Sequence, residues 1–219
     1  MGDLTLLQNI AIWILPVIFA ITVHEVAHGW VAMKLGDRTA QMMGRLTLNP
    51  IKHIDPVGTL LVPGILLMAG GFIFGWAKPV PVSWKNLNNP KKDMIWVALA
   101  GPMANLIMAL FWAGVMKIGS VLLVSSGNES MLALVYMGFA GIQINLILML
   151  LNLLPLPPLD GGRVLVGLLP GPLAWRVSRI EPYGFFILIG LLYFGIISII
   201  LSPLIGGFMS IISSLFGLR

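Results

Sequence analysis

Long apolar runs constrain this chain more than any other feature, because roughly 18 or more apolar residues in a row are enough to cross a bilayer as a helix. Such runs occupy about Ile10 to Leu35, Val57 to Gly75, Met94 to Lys117, Met131 to Leu154 and Tyr183 to Leu201. Ser202-Pro203 then interrupts the pattern, and the stretch Leu204 to Leu218 offers roughly 22 Å of helix, short for a hydrocarbon core of about 30 Å. Only 10% of the 219 residues are charged and 58% are hydrophobic, whereas a soluble domain is about 25% charged. Lipid offers the backbone no hydrogen bonds, so the expected fold is an all-α polytopic membrane bundle of about five to six membrane segments. One integral membrane domain over residues 1–219 is expected, with C-terminal membrane segments at about 183–218.

The net charge of +5 does not point to nucleic acid. The basic residues sit in short connections between apolar runs and form no continuous face, so the positive-inside tendency accounts for them. The chain has no cysteine, so any metal must be held by nitrogen and oxygen ligands. No Lys or Arg precedes the first run, which carries Asp3 before it and lacks a signal-peptide start, so that run is expected to be retained.

Two connections carry strand-like patterns. Thr39 to Asn49 contains the alternation Arg45-Leu46-Thr47-Leu48-Asn49, and Phe72 to Val82 contains Pro79-Val80-Pro81, whose prolines suit an edge. Unpaired strand edges are not stable against lipid, so if these segments enter the membrane they must pair with each other, with other protein or with substrate. Lys34, Arg38, Arg45 and Lys52 follow the first run, Lys78, Lys85, Lys91 and Lys92 the second, and Arg163, Arg176 and Arg179 the fourth. Placing all three connections on the cytoplasmic side requires Val57 to Gly75 to enter and return rather than cross, and Pro63, Gly64, Gly70 and Gly71 suit a broken helix of that kind.

The chemistry lies in His24-Glu25-Val26-Ala27-His28, embedded in the first run. Histidines at i and i+4 are separated by about 40° around a helix, so both rings can reach one ion, and Glu25 beside them can contact water. This is the His-Glu-x-x-His spacing of zinc hydrolases. Ionisable groups inside an apolar span cost at least ~2.5 kcal/mol each at the helix centre and are usually functional. A catalytic zinc takes three protein ligands and leaves one position open.

Asp160 is the best-placed third ligand, in Asn152-Leu153-Leu154-Pro155-Leu156-Pro157-Pro158-Leu159-Asp160-Gly161-Gly162. The prolines interrupt the helix and the glycines permit a close turn. With Val57 to Gly75 returning, the first and fourth runs both travel inward, so His28 and Asp160 share one end of the membrane. Lys34 lies about six residues, or ~9 Å, beyond His28.

These residues resemble the site-2 protease family of intramembrane zinc metalloproteases, in a minimal form without an inserted peptide-binding (PDZ) domain or a nucleotide-sensing (CBS) domain. The likeness rests on the 24–28 motif, Ala100-Gly101-Pro102-x-x-Asn105, Asn152-x-x-Pro155, Leu159-Asp160-Gly161-Gly162, and Gly75-Trp76-Ala77-Lys78-Pro79-Val80-Pro81-Val82. The resemblance implies a catalytic core at about 10–165 and one zinc per chain held by His24, His28 and Asp160, with Glu25 as catalytic base. It also implies a membrane-embedded protein helix as substrate, guided by a membrane-associated re-entrant β-hairpin, with Trp76, Val80, Val82, Asn152 and Pro155 near it. Regulated intramembrane proteolysis in a prokaryotic inner or plasma membrane, with the site toward the cytoplasm, is the expectation. A metal-ion transporter or channel using the same ligands is the alternative, but it gives Glu25 no role.

Asn105 and Asn145 are expected to hydrogen-bond between helices, His53 to be a loop residue, and the seven tryptophans mostly to anchor at the interface.

Overall fold

The computed structural model describes residues 5–68 and 75–218. Its first helix, α1 (Leu6–Lys34), starts at a capping box in which Thr5 and Gln8 satisfy each other's backbone amides. The next long helix, α4 (Pro90–Ser126), has proline at its first position, and Asp93 accepts from the Asn89 amide at 2.7 Å. It ends on Gly127, whose φ of +67° is the left-handed stop that glycine favours. Two further long helices, α5 (Leu132–Asn152) and α9 (Ile196–Phe216), complete the set. Between α1 and α4 lie the short helices α2 (Thr39–Met42) and α3 (Val62–Met68); α6 (Asp160–Leu168), α7 (Gly171–Ser178) and α8 (Glu181–Tyr193) separate α5 from α9.

Four helices among the described residues, not five or six, are long and apolar enough to cross a membrane. The fifth run breaks at Gly195, where φ is +72°, rather than at Ser202-Pro203. Pro203 lies inside α9, whose 21 residues give about 32 Å of helix, enough to span. A single lost backbone bond is tolerated in a packed membrane helix, whereas a left-handed residue ends one. The apolar stretch on the other side of Gly195 leaves α8 with 13 residues, about 20 Å.

The core joins Ala109, Trp112 and Ala113 of α4 to Ile142 and Leu146 of α5 and to Leu201 and Ile212 of α9. Glycines on α5 make that approach possible. A Cβ on Gly141 would lie 2.1 Å from the Trp112 ring, and one on Gly138 would lie 2.7 Å from the Met116 backbone. Trp112 is thus a core residue and no interfacial anchor; Trp30, Trp96 and Trp175 are exposed.

No β-strand forms among the described residues, so the expected hairpin is not found; residues 72–74 of its second arm lie outside them. The two connections do meet, through the Arg45 side chain and through one backbone bond. Arg45 donates to the carbonyls of Lys78 (3.0 Å) and Pro79 (3.3 Å), and the His53 carbonyl accepts from the Lys78 amide at 2.9 Å. Pro79 and Pro81 have no N–H to give a ladder, and residues 39–42 are helical. His53 lies in this connection, at the end of a short 3-10 turn, and is 2% exposed, its ring bonding the Thr47 carbonyl.

The excursion between α1 and α4 leaves and returns at one level. The Asn88 amide donates to the Leu35 carbonyl (2.9 Å) and the Trp76 amide to Gly58 (3.0 Å), while the helical residues from 56 to 68 span about 20 Å, too short to cross. α1 and α5 therefore run the same way, antiparallel to α4. The segment 76–88, termed the strap, is fastened at its far end by Asp37, which is fully buried. Its carboxylate accepts from the amides of Ser83 (2.7 Å) and Thr39 (3.1 Å), the Thr39 hydroxyl and the Asn86 side chain (3.0 Å). Burial alone would raise its pKa, but these four donors hold it below the usual carboxylate range.

Asp37 therefore adds stability at neutral pH that is lost as pH falls through its lowered pKa. Asp37→Asn should cost about 1.5–3 kcal/mol and weaken the acid dependence of unfolding; detergent-solubilised thermal melts from neutral to acidic pH measure both, and an unchanged acid limb would contradict the assignment. In this cysteine-free chain, single cysteines at Lys52 and Lys85 should react with an impermeant thiol reagent from the same side of the membrane. Labelling from opposite sides would show a crossing between them.

Candidate metal centre

The site is assembled from three elements whose local sequences dictate their positions. α1 presents His24 and His28 on one face; α4 passes that face; and the turn after α5 returns Asp160 to it. The two histidine Nε2 atoms lie 3.0 Å apart, and Asp160 Oδ2 is 3.2 Å from His24 Nε2 and 3.3 Å from His28 Nε2. His24 and Asp160 are buried and His28 nearly so. These separations approach the ~3.3 Å between ligand atoms of a tetrahedron with bonds of about 2.0–2.1 Å.

The ring tautomers follow from the outer partners. His28 Nδ1 donates to the Val97 carbonyl at 2.7 Å, so its Nε2 is bare. His24 Nδ1 faces the Asn105 side-chain oxygen at 2.5 Å, which fixes the same tautomer. The buried Asp160 Oδ2 has no hydrogen-bond partner. Three donor atoms thus converge on one point in an apolar interior, where their lone pairs repel each other unless a proton or a metal cation lies between them. The nitrogen and oxygen donor set suits zinc.

Asn105 is the functional residue that the sequence reading placed only as a helix-to-helix bond. It makes such bonds, donating to the Ala20 carbonyl (3.2 Å) and to Asn145 (2.9 Å), which in turn donates to the Gly141 carbonyl (2.8 Å). Its oxygen also orients the His24 ring. The signal was available: Gly101 and Asn105 stand four residues apart, on one helical face. A Cβ on Gly101 would sit 2.4 Å from His28 Nε2 and 2.6 Å from His24 Nε2, so only glycine lets α4 pass the two rings.

Asp160 opens α6, and its glycines make that possible. A Cβ on Gly161 would lie 2.3 Å from the Leu153 carbonyl oxygen, and one on Gly162 2.3 Å from the Pro157 nitrogen, so the turn closes tightly over its own backbone. This places the carboxylate beside α1 although Asp160 lies 132 positions after His28 in the sequence.

A cavity of about 150 Å³ opens on the three residues and is lined also by Glu25, Pro79, Val80, Val82, Trp84, Asn152, Pro158 and Arg163. Glu25 Oε2 accepts from the Val80 amide of the strap at 2.7 Å, and its other oxygen makes no protein hydrogen bond among the described residues. Val80 packs on α1, where a Cβ on Gly29 would come within 2.8 Å of it. Of the residues expected near a substrate, Val80, Val82 and Asn152 face the cavity. Trp76 instead sets its indole on Gly58 and meets Phe185 edge-on at 5.3 Å, and Pro155 is exposed outside the lining.

Comparison with known proteins identifies the family. The sequence profile described as Peptidase family M50 matches residues 12–192. A Bacillus subtilis protein named "Putative zinc metalloprotease YwhC" is 42% identical over 211 residues, covering 93% of this chain and 90% of the relative. "Putative zinc metalloprotease Rip2" of Mycolicibacterium smegmatis is 29% identical over 191 residues, covering 85% and 69%. Its namesake in Mycobacterium tuberculosis H37Rv is 28% identical over 143 residues, covering 65% and 51%. No solved structure gives a significant match. The chain belongs to Peptidase family M50, the site-2 protease family of membrane zinc metalloproteases.

Proposed function

We propose that this membrane metalloprotease is an endopeptidase that cleaves membrane-embedded protein helices at one zinc per chain, held by His24, His28 and Asp160, with Glu25 as base. The observation that carries the reading is the convergence of two bare imidazole nitrogens and an unpartnered carboxylate oxygen beside Glu25, at the wall of a cavity. Zinc, when bound, supplies Lewis acidity to water and to the scissile carbonyl. Glu25 then takes the proton from water and hands it to the leaving amine, and the Val80 amide holds one of its oxygens so that the other faces the reacting atoms. Asn105 and the Val97 carbonyl keep both imidazoles in the ligating tautomer.

A substrate helix hides its carbonyls in its own hydrogen bonds, so it must unwind locally before reaching the cavity. The strap residues Val80 and Val82, with Asn152 opposite, offer backbone and side-chain groups to hold it extended. Trp76 and Pro155 support these walls from outside in this reading. The cationic connections at the site end support an active site toward the cytoplasm of a prokaryotic plasma membrane, and regulated intramembrane proteolysis is the cellular process this fits. A transporter would need no base beside its ligands.

Purified protein should contain zinc and cleave a model single-span substrate, with chelator abolishing the cleavage; metal flux into proteoliposomes without cleavage would favour transport instead. Glu25→Gln should keep zinc and lower kcat by about 10²- to 10⁴-fold, whereas His24→Ala, His28→Ala and Asp160→Ala should lose the metal. Near-normal turnover by Glu25→Gln would sink the base assignment. Asn105→Leu should weaken zinc binding by about 10- to 100-fold in chelator competition, and Gly101→Ala should do so at least as strongly. Unaltered zinc affinity in both variants would show that the α4 face is not tuned to the metal.

A further inference from the structure

One cation in the cavity has no part in the chemistry described so far. Arg163 lies one helical turn after Asp160 on α6 and shares the cavity wall with the three ligand residues and Glu25. It is half-buried, and its guanidinium carbon stands 5.3 Å over the Trp84 ring. That contact is a cation–π approach to the indole. The N–H donors of the guanidinium lie in its own plane and remain to be satisfied.

Among the described residues, those donors meet no acceptor. Neither acidic residue on the same cavity wall bonds Arg163: Glu25 accepts from the Val80 amide and Asp160 faces the two histidine rings. An arginine that merely followed the positive-inside tendency would extend to water along an outer surface. Arg163 is turned into the cavity and held there by an aromatic platform. The platform is itself fixed: Trp84 opens a short turn (Trp84–Asn86) clamped on both sides by Asp37, through the Ser83 amide at 2.7 Å and the Asn86 side chain at 3.0 Å. Trp84 also packs against the buried cluster of Ala32, Leu87 and Val97.

A planar fork of donors, oriented by a fixed ring and lacking a counter-ion, is complementary to a carboxylate, which it can hold through two parallel bonds. We propose that Arg163 is a specificity-determining residue that binds the side-chain carboxylate of an Asp or Glu close to the scissile bond, so that substrates acidic at that position are preferred. The inference rests on the protease reading above and names a substrate feature for the same site. It also gives the strap a second task. Besides holding Glu25 through Val80, it positions Trp84, and through it the cation that reads the substrate.

The test uses the full-length, zinc-loaded protein and a set of single-span substrates that differ only by Glu or Gln at each of several positions flanking the cleaved bond. At one or two adjacent positions the wild type should show kcat/KM about tenfold higher for Glu than for Gln, as expected for a charge-assisted bond. Arg163→Gln should bring that ratio close to one. Arg163→Glu should reverse it, favouring Lys over Glu at the same position, a swap that a merely structural arginine would not produce. Zinc content is measured for each variant. Equal cleavage of every Glu and Gln pair by the wild type would overturn the inference and leave the protease reading standing. A Glu preference that survives in Arg163→Gln would also overturn it, and cleavage of no substrate by the zinc-loaded wild type would overturn both.

Discussion

Everything else in this structure answers to three lone-pair donors brought within 3.0 to 3.3 Å of each other inside an apolar bundle. Each of those atoms would cost several kcal/mol if left unpaired and dry, and together they repel. Such a cluster cannot come about by hydrophobic collapse, which would expel it. The bundle holds it by removing atoms and by fixing rings. Gly101 leaves room for two imidazoles, Gly161 and Gly162 let the Asp160 turn lie on its own backbone, and Asn105 and the Val97 carbonyl decide which nitrogen is bare. The small residues in these motifs are therefore as much a part of the metal site as the ligands. Their contribution is space, which no list of polar contacts would reveal.

The strap carries the remaining constraint. A segment with Pro79 and Pro81 cannot complete a strand ladder, so it is fastened by charge at both ends: Arg45 holds the Lys78 and Pro79 carbonyls and Asp37 holds Ser83 and Asn86. Between these anchors the Val80 amide meets Glu25. A ladder would have used the strap's hydrogen-bonding groups on a neighbouring strand. Anchoring by side chains leaves part of that backbone available at the cavity, which suits the proposed pairing with an extended substrate.

The sequence disclosed the parts of the site that are written as spacing. His24 and His28 were legible because i and i+4 share a helical face, and Asp160 because charge parity forced α1 and α5 to run the same way, as the Leu35–Asn88 bond shows they do. Helix ends were less legible. Ser202-Pro203 looks like a stop by composition, yet a membrane helix absorbs one missing amide, while Gly195 stops the chain through a left-handed conformation that composition does not show. The alternation at 45–49 resembled a strand, but what matters there is that Arg45 faces inward, 9% exposed, and donates to the strap. Asn105 was read as helix glue because an asparagine in an apolar run looks the same whether its partner is a helix or a ligand. Arg163 was read through topology alone, since a charge tally cannot tell an arginine that reaches for solvent from one stacked in a cavity.

The placement of the cluster near one end of the spans resolves a conflict between hydrolysis and membrane residence. Hydrolysis needs water, and a helix crossing the bilayer needs its absence. His28 lies about six residues, or ~9 Å, before the last residue of α1, and Asp160 follows the end of α5, so both halves of the centre sit where the helices run out. Water need only penetrate that short depth. On the proposed reading, the scissile segment of a membrane-embedded substrate leaves helical hydrogen bonding close to the interface, where freed carbonyls can find water, the strap or a cation. Polar groups that would be ruinous at the bilayer centre are tolerable at this depth, and so a cavity walled by Glu25, Asp160 and Arg163 can exist in a chain of which only 10% is charged.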